Sequence, residues 1–271
     1  MKLTTRILVL LFIVMVAGLL SSNIILKKQY DAFDKSDSYW TYNKILEQPF
    51  RHLNITGGNG TNIYYEQSSK PSVRLLQEWV QYHNGRIAAR VQNDTLYINF
   101  DYVPATPFDR YYLENAAPVR IFSPELLSVT GNDTHIEMQR LKQKSISVHI
   151  TGKSKFELES MYPELDAIDI YQSDSSAVVF EMSPDYRKPA QSKEQEGKIA
   201  FHNSKGELVE DKGDPLKRFD ETMSFKSVTA NITGHSILDI GHAQIGSLHA
   251  AISDSSAIVL SGNALQLLKQ K

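Results

Sequence analysis

Cysteine is absent from the 271 residues of this chain. Its absence excludes disulfide bonds, thiolate metal sites and a cysteine nucleophile. It also excludes a lipid-modified N-terminal cysteine. The cellular compartment stays open on this ground alone, because many envelope proteins contain no cysteine.

An excess of positive charge is missing as well. The chain has 29 Lys and Arg residues against 31 Asp and Glu residues, which gives a formal net charge of -2. Nucleic-acid-binding proteins carry a concentrated positive face, so we expect no nucleic-acid partner. A hydrophobic content of 41% is typical of a folded chain with a sizeable core.

One long apolar run stands out near the N terminus, beginning at Ile7 and ending at Leu26. About 20 such residues cross the hydrocarbon of a bilayer as a helix. The run stops at Lys27 and Lys28. We therefore predict one N-terminal transmembrane helix, a signal anchor within residues 1–28, with the membrane as its partner.

A cleaved secretory signal is the alternative, with Lys2 and Arg6 as its charged start. Cleavage is disfavoured because no A-x-A-like site follows the apolar core. Both interpretations export residues 29–271 to the periplasm or cell envelope. Residues 29–49 mix acidic and aromatic residues, and we interpret them as a juxtamembrane stalk.

The pentapeptide SDSSA occurs twice, once from Ser173 and once from Ser253. Its surroundings belong to four segments that align without gaps and start about 20 residues apart, apart from one step of 60. A fixed period in this range is typical of a solenoid. The four segments are ISVHITGKSKFEL (146–158), IDIYQSDSSAVVF (168–180), VTANITGHSILDI (228–240) and LHAAISDSSAIVL (248–260).

Apolar residues alternate with polar ones on both sides of a polar corner in each segment. This alternation predicts a strand, a tight corner and a second strand, repeated along the chain. Stacked coils of this kind form parallel ladders over a continuous core. A column of serines at the corner, Ser154, Ser176, Ser236 and Ser256, is interpreted as structural, with hydroxyls bonded to the backbone and to the next serine.

Residues 183–226 break the period and are rich in both acidic and basic residues. We interpret them as a charged insertion containing one hairpin, with NSKG at its turn. Residues 50–271, including this insertion, are predicted to form the folded domain. Upstream coils are looser: LSVTGNDTHIEM (127–138) matches the corner with one extra residue, and a short helix is expected within residues 72–82.

These repeats, above all VTGNDTHIEM, ISVHITGKSKFEL and VTANITGHSILDIGHAQIGSLHAAISDSSAIVLSG, resemble the head GIN domain family of bacterial envelope proteins. That family is provisionally described as autotransporter adhesin heads. The resemblance covers about residues 53–265 and implies an all-β, right-handed parallel β-helix-like solenoid with coils of about 20 residues. It transfers no catalytic residue to this chain.

Carboxylates on neighbouring coils would be needed for hydrolysis or lysis of polysaccharides. In the four aligned segments, Glu157 is opposed by Val179 and Asp239 by Val259. His235, His242 and His249 recur at a spacing of seven, but the coil geometry spreads them around the stack. We therefore predict no catalytic, cofactor-binding or metal residues and no cofactor.

The sequence thus favours a non-catalytic, membrane-tethered, adhesin-like binding or structural module of the cell envelope, not an enzyme. Envelope glycans or proteins are the expected partners. The alternative is a polysaccharide-active enzyme with its site in residues 183–226. The final segment NALQLLKQK is expected to cap the last coil through Leu265, Leu267 and Leu268.

Overall fold

The computed structural model consists of two compact units, Met1–Asn43 and Lys44–Lys271. It describes residues 3–32, 36–82, 85–102, 113, 116–139, 141–159, 164–181, 201–202, 208–209 and 223–269.

The first unit is built on one long helix, α1 (Leu3–Ala32). Its segment Leu3–Lys28 is long and apolar enough to cross a membrane, and its side chains are exposed. Because a helix rises about 1.5 Å per residue, these 26 residues exceed the roughly 30 Å of bilayer hydrocarbon. The predicted apolar helix is therefore present, with the length and composition of an anchor or a signal sequence.

The second unit is mostly β-sheet. Its strands are β1 (Tyr42–Leu46, which begins at the end of the first unit), β2 (His52–Gly57), β3 (Ile63–Gln67), β4 (Ser72–Leu76), β5 (Ile87–Gln92), β6 (Thr95–Phe100), β7 (Val119–Ser123), β8 (Ser128–Asn132), β9 (His135–Gln139) and β10 (Lys142–Thr151). They continue with β11 (Lys155–Glu159), β12 (Glu164–Gln172), β13 (Ala177–Glu181), β14 (Phe201–His202), β15 (Leu208–Val209), β16 (Ser224–Ile232), β17 (Ile237–Gly241), β18 (Gln244–Ile252) and β19 (Ala257–Leu260). A short helix α2 (Gln77–Tyr82) and a C-terminal 3-10 helix (Gly262–Lys269) complete the unit.

Two large sheets contain most of these strands. Sheet 1 has the order β1-β4-β7-β3-β9-β11-β13-β17-β19, and sheet 2 has the order β18-β16-β12-β10-β8-β2-β6-β5. From β8 onward the chain enters sheet 2 and sheet 1 in turn, apart from the short strands β14 and β15. Each pass adds a strand parallel to the one before it in the same sheet.

The predicted alignment of the four segments is confirmed as strand register. In sheet 2, Ile146 pairs with Ile168, Ile168 with Val228, and Val228 with Leu248. The same correspondence holds in sheet 1, where Phe156 begins the series. These residues belong to one hydrophobic cluster, because alternate side chains of both sheets point into it.

Three of the four aligned corners between the sheets have a left-handed backbone at one position. Gly152, Asp174 and Gly234 occupy it with φ of 68°, 64° and 70°. A Cβ on Gly234 would lie 2.6 Å from the carbonyl oxygen of Asp174, so this corner excludes larger residues. Glycine in the two TG pairs and Asp174 in the first SD pair are thus explained by backbone conformation, whereas Asp254 in the second SD pair does not have a positive φ.

The serine column lies beside these corners as predicted. The hydroxyls of Ser176 and Ser236 are 3.2 Å apart, and Ser256 donates to the carbonyl of Gly234 at 2.9 Å. Ser154, Ser176 and Ser236 are buried. Their hydroxyls therefore satisfy each other and the corner backbone inside the stack.

The 60 residues between the starts of the second and third aligned segments contain one coil and the charged insertion. Strand β12 pairs directly with β16, so Ile168 and Val228 are neighbours despite their separation in sequence. Within the insertion, β14 and β15 pair antiparallel, which confirms the predicted hairpin. The predicted NSKG turn, residues 203–206, lies outside the described residues.

The N-terminal half departs from the expected purely parallel order, and the sheets are mixed. Strand β2 lies between β6 and β8, so chain order and spatial order differ there. Strands β4 and β5 run antiparallel to β7 and β6. The helix expected within residues 72–82 is half strand, because β4 takes up the pairing positions beside β7 and only Gln77–Tyr82 is helical.

Candidate functional site

The outer face of sheet 2 presents a continuous row of uncharged polar and aromatic side chains. Strand register places six of these side chains side by side from β6 to β16: Tyr97, Asn54, Thr130, His149, Tyr171 and Asn231. Arg90 of β5 continues the row beyond Tyr97, and Ala251 of β18 continues it beyond Asn231. A second row runs beside it through Thr95, His52, Ser128, Ser147, Asp169, Thr229 and His249. We call these two rows the polar face.

Aromatic rings interrupt the polar face at two places. The rings of His149 and Tyr171 lie 6.0 Å apart at an angle of 52°, and the Tyr171 side chain is 46% exposed. Nearer the other end of the row, the guanidinium of Arg90 lies 5.5 Å from the ring of Tyr97. Exposed rings of this kind offer apolar surface together with a polar atom.

Cross-strand hydrogen bonds order this side of the sheet. Nδ1 of His52 lies 2.8 Å from Oγ of Ser128, and Nδ2 of Asn132 donates to Oγ1 of Thr151 at 2.8 Å. Hydroxyl and amide groups both donate and accept hydrogen bonds, so the face suits a ligand that does the same. Asp169 is the one carboxylate in the two rows of the polar face named above.

The outer face of sheet 1 is charged instead. Glu137 on β9 pairs directly with Glu157 on β11, and both are buried, with 7% and 8% of their surface exposed. Oε2 of Glu157 lies 2.6 Å from Nε2 of His135, and its other oxygen contacts the ammonium of Lys155. Nε2 of Gln139 donates to Glu137 at 2.7 Å.

The protonation of Glu157 follows from these contacts. Burial raises the pKa of the Glu157 carboxyl, but hydrogen bonds and charges from His135 and Lys155 outweigh burial and lower the pKa below its ordinary value. Glu157 is therefore held as a carboxylate by two neighbours on the same face. Its bonds are those of a structural ion cluster.

Tyr64 extends this charged face across β3. Burial and the nearby Glu137 charge raise the pKa of the Tyr64 phenol. The guanidinium of Arg120 lies 4.8 Å from the centre of the same ring. Inside the core, burial raises the pKa of Tyr65 to about 12, and its hydroxyl lies 3.0 Å from Oγ of Ser123.

Sequence reasoning missed the Glu137–Glu157 neighbourhood. The predicted oppositions of Glu157 to Val179 and of Asp239 to Val259 are confirmed. Glu137 was missed because its coil was expected to hold one extra corner residue. The structure has one fewer: residues 133–134 join β8 to β9, whereas residues 152–154 join β10 to β11.

The three C-terminal histidines are distributed as expected. His235 lies in a corner, His242 in the turn before β18, and His249 on the outer face of β18. Among the described residues, no group of three His, Asp or Glu side chains is placed to hold a metal ion.

No protein-family model matches the chain, and no curated protein matches it. Among solved structures, a protein from Bacteroides fragilis provisionally named an adhesin has a TM-score of 0.38 at 12% identity, covering 80% of this chain and 95% of its own. A provisional adhesin from Parabacteroides distasonis has a TM-score of 0.31 at 13% identity, with 82% and 94% coverage. A provisional lipid-binding protein from the same species has a TM-score of 0.24 at 13% identity, with 82% and 94% coverage. Likeness at this level establishes neither fold nor function.

Proposed function

We propose that this chain is a non-catalytic, membrane-tethered binding module of the cell envelope, and that its polar face binds envelope polysaccharide. Residues 1–28 serve as the anchor, residues 29–49 as the stalk, and residues 50–271 as the extracytoplasmic domain with its insertion at 183–226. The domain is a right-handed β-helix-like solenoid related to the head GIN family. In-register parallel pairing from β8 to β19 supports the solenoid, and the length of α1 supports the tether.

The observation that carries the binding role is the uncharged character of the first row of the polar face between β6 and β16. A row of six side chains from Tyr97 to Asn231 contains hydroxyls, amides and rings without a carboxylate or an ammonium. Parallel strands lie about 4.8 Å apart, so the row repeats its donors and acceptors at nearly constant intervals. An extended polymer of hydroxyl-rich units can meet several of them at once, and many weak contacts then add.

The non-catalytic part of the proposal rests on the charged face. Glu137 and Glu157 are neighbours on adjacent strands, the arrangement that a polysaccharide-active enzyme uses. Here Glu157 is bonded to His135 and Lys155, and Glu137 accepts from Gln139. Both carboxylates are also buried, which keeps them from a polymer chain.

Retention on immobilised polysaccharides tests the proposal. The full-length chain, solubilised in detergent, is passed over a panel of envelope and host polysaccharides while new reducing ends are measured in the same wells. We expect retention on at least one polymer without new reducing ends. New reducing ends above those of wells without protein would overturn the non-catalytic role, and a Glu137→Gln, Glu157→Gln double variant would then show whether these two carboxylates produce them. No retention on any polymer would overturn the glycan ligand.

A further inference from the structure

Strands β18 and β19 are the last strands of the two sheets at the same end of the second unit. Each pairs on one side only, β18 with β16 and β19 with β17, and no described strand pairs with the other side. Their outer edges therefore present backbone N–H and C=O groups in strand conformation. Such an edge is a template for another strand.

The inward columns lose their cover at this last coil. Ile150 and Ile232 are fully buried, whereas Ile252 in the same column is 48% exposed. Ala250 is exposed although Ala230 beside it is buried. The side chains that form the core elsewhere are thus open to solvent here.

The C-terminal 3-10 helix covers only the beginning of β18. Leu267 packs against the core, and an open pocket of about 390 Å³ is lined by Leu267 together with Ile245 and Gly246 of β18. Of the predicted capping residues, Leu267 packs against the core, whereas Leu265 is 43% exposed. The side chain of Leu268 lies outside the described residues. The remainder of β18, up to Ile252, stays exposed or half-buried.

Strands β18 and β19 contain no lysine, arginine or carboxylate, and the nearest carboxylate, Asp254, lies in the corner between them. His249 is the one titratable residue in β18 and β19 together, and it lies on the polar face. At the opposite ends of the sheets, the edge strands β1 and β5 carry Lys44 and Arg90. Natural edge strands are usually protected by charges, especially lysine, and this pair is not.

We propose that this end binds the same end of a second copy of the chain across a two-fold axis. The two-fold rotation places β18 antiparallel to its counterpart and β19 antiparallel to its own, so both sheets continue into the second copy. Neutral residues meet neutral residues in this arrangement. At about 3.3 Å per residue, nine residues of β18 span about 30 Å, and two stacked strands then bury on the order of 600 Å² per copy, near the lower limit of specific interfaces.

Cross-linking tests the contact directly, because the chain contains no cysteine of its own. Val259→Cys places a thiol on the exposed edge strand β19, and Val179→Cys, in the same outward column of β13, is the matched control. A short bismaleimide is added to each full-length variant in detergent. We expect at least about 10-fold more linked dimer from Val259→Cys, because only that edge meets its counterpart. Equal yields from the two variants would overturn the proposal.

A charge placed on the edge gives an independent measurement. Ala250→Lys puts an ammonium opposite the second copy, whereas Thr229→Lys puts it on the exposed outer face of β16. By light scattering with correction for detergent, we expect the wild type and Thr229→Lys to have the mass of two chains. Ala250→Lys is expected to weaken association about 10-fold or more. A wild type with the mass of one chain, or an Ala250→Lys variant as dimeric as the wild type, would contradict the two-fold contact.

Discussion

The two ends of the sheets differ in how far their inward side chains are covered. At the other end, β4 and β5 run antiparallel to their neighbours, β1 and β5 are the outermost strands, and Trp79 is 1% exposed with its ring 5.4 Å from Phe100 and 5.2 Å from Tyr102. At the β18 and β19 end, parallel edges remain open. The inward residues of a repeated coil therefore stabilise the fold only where the next element buries them.

Removing the Trp79 side chain should destabilise the end of the second unit that contains β4 and β5. Trp79→Ala deletes a fully buried side chain, and we expect the free energy of unfolding to fall by about 3–5 kcal/mol. Leu267→Ala, the matched change in the C-terminal 3-10 helix, removes a partly buried side chain and should lower it by about 1 kcal/mol. Urea unfolding monitored by circular dichroism measures both. Equal losses would show that the two ends are closed to the same degree.

An isoleucine-to-alanine substitution on two neighbouring coils compares a covered coil with the last, uncovered one. Ile232→Ala removes a residue with no exposed surface and should destabilise the protein by about 2–4 kcal/mol. Ile252→Ala, its neighbour in the ladder, should lower the free energy of unfolding by less than about 1 kcal/mol while the chain is monomeric. Urea titrations at low protein concentration give both values. A large loss at Ile252 would mean that something covers the last coil.

A corner substitution tests whether coils share one backbone geometry. Gly234→Ala should lower the free energy of unfolding by about 2 kcal/mol, because its φ is 70° and its Cβ would meet the backbone of Asp174. Gly60→Ala is the control, since nothing lies within 4 Å of the position of its Cβ. Thermal unfolding compares the two variants. A Gly234→Ala protein as stable as the control would argue against the tight corner.

The ion cluster in the middle of sheet 1 makes the stability of the fold depend on pH. The pKa of Glu157 is lowered from its ordinary 4.5 in the folded protein. Its stabilisation is therefore complete above about pH 4.5 and is lost as the pH falls through the lowered pKa. Glu157→Gln should cost about 1–2 kcal/mol at pH 7 and reduce the loss of stability on acidification.

Thermal unfolding from pH 7 to pH 3 measures this term. Asp239→Asn is the matched control, because Asp239 faces Val179 and Val259 across the same ladder. If Glu157→Gln and the wild type lost stability in parallel below pH 4.5, the cluster would not be the source of the acid sensitivity.

The regular part of the fold was predictable because two signals agreed. Alternation at period two identified the inward face of each strand, and a repeat of about 20 residues set which strands are neighbours. Ile146, Ile168, Val228 and Leu248 lie in the predicted ladder for this reason. The order of β6, β2 and β8 could not be predicted, because long-range pairing decides it and no sequence repeat indicates which of these strands are neighbours.

The pairing of Glu137 with Glu157 on the charged face was not predicted because the corner before β9 is one residue shorter. Gly131 occupies the inward column beside Ile150, and a Cβ there would lie 2.5 Å from Cγ2 of Thr134. The shortened corner thus folds Thr134 into space that larger side chains fill in other coils. An alignment that allowed this deletion would have placed Glu137 beside Glu157.

Substitution of Tyr171 tests whether the polar face binds polysaccharide. The affinity of the full-length chain for a polysaccharide that retains it is measured for the wild type, Tyr171→Ala and Glu157→Gln. Because Tyr171 is 46% exposed, its removal should leave the thermal midpoint unchanged while the affinity falls about 10-fold. Glu157→Gln should bind like the wild type. Unchanged affinity in Tyr171→Ala with lost affinity in Glu157→Gln would place the ligand on the opposite sheet and contradict the account.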